Sequence, residues 1–91
     1  MLRSYIVFID AGFEEEFRKD LEQYVEEYFI VPKVLAWSQF FNPMLDTVVW
    51  PGHMVAILFR TEVELGGLFN KWREKLKGKG FRVYAWESMI P

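Results

Sequence analysis

Met54-Val55-Ala56-Ile57-Leu58-Phe59 is an unbroken apolar run, and Tyr5-Ile6-Val7-Phe8-Ile9 is its counterpart near the start of the chain. Side chains of a strand point alternately to its two faces, so a strand wetted on one side alternates apolar with polar residues. Neither run does. Both are short and rich in β-branched and aromatic types, which marks them as strands with apolar side chains on each face. Helices packed against one face of such a pair leave the other face apolar as well, and something must cover it.

Between the two runs, Phe13, Phe17, Leu21, Tyr24, Val25, Tyr28 and Phe29 recur at steps of three and four with charged residues between them. That spacing predicts an amphipathic helix ending ahead of Pro32. Glu14, Glu15 and Glu16 suit the positive end of its macrodipole. A second strand is expected over Val34 to Phe40, broken by Asn42-Pro43, and Thr47 to Trp50 is β-prone but short. Thr61-Glu62-Val63-Glu64 has the capping-box pattern, so a second helix is expected to begin there. Leu65, Leu68, Phe69, Trp72 and Leu76 form its apolar stripe, and Lys75, Lys77 and Gly78 suit its end. Gly66-Gly67 in its first turns is unfavourable unless close packing on the sheet needs their small size. Phe81 to Trp86 is the last strand. The order β-α-β-β-α-β implies an α+β, ferredoxin-like sandwich over residues 1–91, a single domain with a four-stranded antiparallel sheet and two helices on one face.

With 91 residues, 52% of them hydrophobic and 19% aromatic, the chain has material for one core and is too apolar for disorder. A small domain buries little of its surface alone, which favours self-association. The net charge of −2 and dispersed basic residues argue against a nucleic-acid footprint. Cysteine is absent, which excludes disulfides and thiolate metal sites. No stretch approaches the roughly 20 apolar residues of a membrane span, and Met1-Leu2-Arg3-Ser4 does not begin a signal peptide, so no membrane insertion and a cytoplasmic location are expected.

Ile30-Val31-Pro32-Lys33-Val34-Leu35, followed by Thr47-Val48-Val49-Trp50-Pro51-Gly52-His53, resembles the small PII-like proteins, in which these two patches bracket the loop joining the second and third strands. The element order agrees over essentially the whole chain, while the motif match is confined to the two patches. The resemblance implies a homotrimer whose sheets face one another, a non-enzymatic regulatory role, and a small effector held in clefts between subunits. It makes the loop from Trp37 to Trp50 the segment that a protein partner reads, with Gln39 near the family's loop-base glutamine. The implied ligand cleft lies near Gln39, Trp50, Lys77 and Lys79. The chain departs from the family in having Ala36 and Ser38 where glycines precede that glutamine, and in having no tyrosine between Trp37 and His53. Lys77-Gly78-Lys79-Gly80 stands in place of the family's longer phosphate-cradling turn; it suits an anion, and equally a plain helix stop. These residues specify no cofactor.

Two other readings of the same patches are a metal-responsive trimer of the divalent-cation-tolerance type, using His53 with carboxylates such as Asp46 or Glu62, and a structural oligomer without a ligand. A lone histidine in a Pro-Gly-His turn is more often structural or solvated. Lys79 to Trp86 looks like an RNA-recognition signature, but that signature belongs on the third strand and here falls on the fourth. The acylphosphatases share the strand order, yet their arginine loop is replaced by Asp10-Ala11-Gly12-Phe13. Ser4, Ser38 and Ser88 have no recognisable base, so catalysis is not expected. The acidic face of the first helix reads as a solvated surface. Trp37, Phe40 and Phe41 are three large apolar groups near a loop, which gain little unless covered; they are expected at a subunit boundary or partner surface.

Overall fold

The computed structural model describes residues 1–87. The elements are β1 (Arg3–Asp10), a 3-10 turn (Ala11–Phe13), α1 (Glu14–Leu21), β2 (Phe29–Val34), β3 (Met54–Thr61), α2 (Gly66–Lys75) and β4 (Phe81–Glu87). The strands form one antiparallel sheet in the order β2-β3-β1-β4. The two apolar runs are therefore the central pair, in the ferredoxin-like arrangement.

The register sorts the side chains by face. Tyr5 lies opposite Phe59, Val7 opposite Ile57 and Ile9 opposite Val55, and all of these are buried beneath the helices. Phe17 and Leu21 from α1 and Leu68, Phe69 and Trp72 from α2 join them in one core. Aromatic edges dominate its centre: Phe17 meets Trp72 edge-on at 5.3 Å and Phe81 at 5.8 Å, while Tyr5 stacks on Phe59 at 5.2 Å. Rings at such distances add to the burial of their own large areas.

Three boundaries differ from the sequence expectations. The first helix ends at Leu21 rather than running on to Phe29. Glu22 and Glu26 would be like charges four apart at the negative end of a longer helix, which opposes extension. Pairing with β3 meanwhile satisfies the backbone of Phe29-Ile30-Val31. Val25 and Tyr28 still pack against the core, from an irregular segment.

The second strand spans Phe29–Val34, not Val34 to Phe40. Pro32 thus lies inside a strand. It is tolerated because β2 is an edge strand and its register shifts between Val31 and Val34. Trp37, Gln39, Phe40 and Phe41 consequently belong to the following loop.

The second helix begins at Gly66, several residues after Thr61. Thr61 is the last residue of β3, paired with Arg3, and its hydroxyl accepts from the amide of Val63 at 3.0 Å, not from that of Glu64. Glu64 caps the helix instead, its carboxylate accepting from the Gly66 amide at 2.8 Å. A Cβ on Gly67 would meet nothing within 4 Å, so close packing does not account for that glycine. Gly78, at φ +79°, provides the left-handed residue after the helix.

Candidate interaction surface and clefts

The face of the sheet away from the helices carries Ile6 opposite Leu58, Phe8 opposite Ala56 and Tyr84 opposite Ile6, with Phe29 and Val31 on β2 and Trp86 on β4 in the same row. Both-sided apolarity of the central pair is thus present in the register. Phe29, Tyr84 and Trp86 are exposed, and Phe8 meets Tyr84 edge-on at 6.0 Å. A pleated face with these residues is not one that water favours.

The loop joining β2 to β3, residues 35–53, covers one end of this face. Its first lobe is closed by paired amide bonds between Ala36 and Met44, each 2.8 Å. Met44 and Met54 are buried, and their methyl groups pack so tightly on Gly80 that a Cβ there would lie 2.5 Å from one and 2.9 Å from the other. The guanidinium of Arg82, on the open face, sits 5.2 Å from the ring centre of Phe41. The second lobe is a tight turn. The Trp50 amide donates to the Thr47 hydroxyl at 2.9 Å, and the Asp46 amide reaches the Gly52 carbonyl at 2.9 Å. Asp46 has a positive φ of 55° and pairs with Lys33, which holds its carboxyl below the usual range.

Having turned Met44 inward, the loop turns other apolar side chains outward. Trp37, Phe40 and Val49 are each more than 70% exposed and Val48 is fully exposed. The C-terminal segment Ser88-Met89-Ile90-Pro91 lies outside the described residues. Beyond the loop's reach, no other described residue covers the face around Ile6, Leu58, Phe29 and Trp86. These residues border a cleft of about 780 Å³ whose rim carries Glu26, Glu27 and Glu62.

Two smaller clefts flank the Lys77–Gly80 turn. One of about 400 Å³ lies between the loop and the turn, lined by Asp10, Phe13, Phe41, Trp50 and Lys79 among others. The Lys79 ammonium rests 4.8 Å from the centre of the Phe13 ring. The other, of about 340 Å³, brings Phe40 together with Arg73, Lys77, Lys79 and Arg82. Among the described residues no carboxylate pairs with any of these four cations, whereas Lys71 and Lys75 on the same helix are paired with Asp20 and Glu16.

Trp50 and Lys79 thus share one cleft, and Lys77 and Lys79 share the other. Gln39 is exposed and borders neither. His53 is half-buried; its carbonyl accepts from the Ala11 amide at 3.1 Å, and its imidazole acts weakly on Asp46. Glu62 lies at the opposite end of β3, so His53, Asp46 and Glu62 do not converge within one chain. No group of three metal-binding side chains occurs among the described residues. Nor is any helix among them long and apolar enough to cross a membrane.

Arg73, Arg82 and Met44 were missed as site residues. Arg73 lies in the last turn of α2, just ahead of the Lys77–Gly80 turn, a proximity in the chain that is legible in the sequence. Arg82 and Met44 reach the site through sheet register and loop folding, for which no local signal exists. No protein-family model, curated protein or solved structure matches the chain.

Proposed function

We propose that the protein is a PII-like, non-enzymatic regulatory module that assembles as a trimer, binds a small anionic effector beside the Lys77–Gly80 turn, and presents loop 35–53 to a protein partner. The observation that carries this reading is the meeting in one groove of an exposed phenyl ring and four cations that have no carboxylate partner among the described residues. Ammonium and guanidinium groups attract a phosphate or carboxylate, and Phe40 offers a surface for an apolar or planar portion of the same ligand. The groove touches the loop through Phe40, so a ligand that prefers one loop arrangement biases what the loop displays. Assembly is supported by the apolar part of the sheet face, with Phe29, Tyr84 and Trp86 exposed, that the described residues leave uncovered.

Sedimentation equilibrium combined with titrations of ATP, ADP and divalent metal ions tests this reading. The expected result is a mass of three chains and saturable nucleotide binding, weakened by Lys77→Ala and Lys79→Ala. A monomer at every concentration overturns the assembly. Binding of divalent metal alone, lost in His53→Ala, replaces the reading with the metal-responsive one.

A further inference from the structure

We infer that loop 35–53 of one copy docks into the acid-rimmed cleft at the far end of the sheet of the next copy, a head-to-tail contact. The inference rests on the assembly reading above and specifies which surfaces make it. The occupant of the cleft is a second copy of this chain, which is then the protein partner that reads the loop.

Within each chain the loop already shields the end of the open face carrying Met54 and Arg82, through Met44 and Phe41. The other end, around Ile6, Leu58, Phe29 and Trp86, has the same apolar character and borders the cleft of about 780 Å³. The chain's own loop does not line it. The loop leaves β2 and joins β3 at Met54, while the cleft lies at Thr61, across an eight-residue strand about 26 Å long.

The two surfaces complement each other in charge as well as in apolarity. The loop's outward residues Trp37, Phe40, Val48 and Val49 stand at the end of the molecule where Arg73, Lys77, Lys79 and Arg82 gather. The cleft's rim carries Glu26, Glu27 and Glu62, with Arg60 as the one opposing charge in its lining. Like ends repel and unlike ends attract, which selects the head-to-tail orientation over a symmetric pairing of two loops or two clefts. Contacts of this heterologous kind close into a ring when the rotation permits, and a three-membered ring is the trimer proposed above. Salt weakens the charged part of such a contact.

Complementary half-sites make the test decisive. The double variant Val48→Asp/Val49→Asp has a damaged loop and an intact cleft; Glu26→Lys/Glu27→Lys has an intact loop and a damaged cleft. All four positions are exposed, and far-UV circular dichroism checks that each variant folds. Should the second not fold, Glu62→Lys takes its place. By sedimentation velocity each variant alone is expected at the mass of one chain, and an equimolar mixture is expected to form a one-to-one pair through the remaining intact loop and cleft. If wild type is a trimer and either variant keeps that mass, the docking is wrong and the trimer stands. If both variants are monomers and the mixture stays monomeric, the docking is likewise wrong. A monomeric wild type removes the docking and the assembly together.

Discussion

The indole Nε1 of Trp72 donates to a carboxylate oxygen of Asp20 at 2.9 Å, and Lys71 Nζ donates to the same oxygen at 2.8 Å. This pair of bonds clips α1 to α2. It also satisfies the one polar atom of a tryptophan whose ring is fully buried against Phe17.

Asp20→Ala leaves that buried indole N–H without its partner. The expected cost is about 2 kcal/mol of unfolding free energy, read from urea denaturation at neutral pH. Lys71→Ala, which removes only an exposed partner, is expected to cost much less.

The same carboxylate sets a pH dependence. The bonds from Lys71 and then Trp72 hold Asp20 below the ordinary aspartate range. Its contribution is therefore fully present above the unfolded value of about 3.9 and is lost as pH falls through the lower folded value. Denaturation midpoints measured from pH 6 downward are expected to converge for wild type and Asp20→Asn in strong acid, and to be separated at neutral pH.

Two glycines in the same fold respond oppositely to alanine. Gly67→Ala places a methyl in open space on a helix and is expected to stabilise by about 0.5 to 1 kcal/mol. Gly80→Ala drives a methyl into Met44 and Met54, whose flexible tips give way in part, and is expected to destabilise by about 1 kcal/mol. Thermal melts are expected to move several degrees in opposite directions.

Phe41 and Trp37 separate folding of the loop from its use. Phe41→Ala removes the ring beneath Arg82 and is expected to speed hydrogen exchange at the Ala36 and Met44 amides. Trp37→Ser, at an outward position, is expected to leave that exchange unchanged and to weaken association, read as a rise in the concentration at which wild-type mass is reached.

Under the proposed function, binding of an anionic effector such as ATP at the groove of Arg73, Lys77, Lys79 and Arg82 is expected to weaken as sodium chloride rises, and Arg82→Ala is expected to flatten that dependence. Isothermal titration at two salt concentrations reads both effects.

The sequence reading of the candidate site was uneven for a physical reason. Trp50, Lys77 and Lys79 were legible because turn chemistry and charge are local properties, and they do border the clefts. Gln39 was assigned by resemblance, and the structure leaves it outside both. Arg82 was visible only as part of a strand; the register that puts it on the open face beside Phe41 involves residues from the two ends of the chain.

The apolar types in Tyr5 to Ile9 and Met54 to Phe59 were sufficient to establish two central strands and a sheet greasy on both sides, because alternation is a property of each strand alone. The stripe from Leu65 to Leu76 likewise identified its helix. Where α1 stops, where β2 starts and how Pro32 fits were decided by the folded sheet, since pairing with β3 outcompetes a helical pattern that continues through Phe29. Tertiary structure alone decided that loop 35–53 shields one end of the open face and, among the described residues, leaves the end around Phe29 and Trp86 uncovered. That outcome depends on Met44 and Phe41 meeting Met54, Gly80 and Arg82, contacts between residues that no local pattern joins.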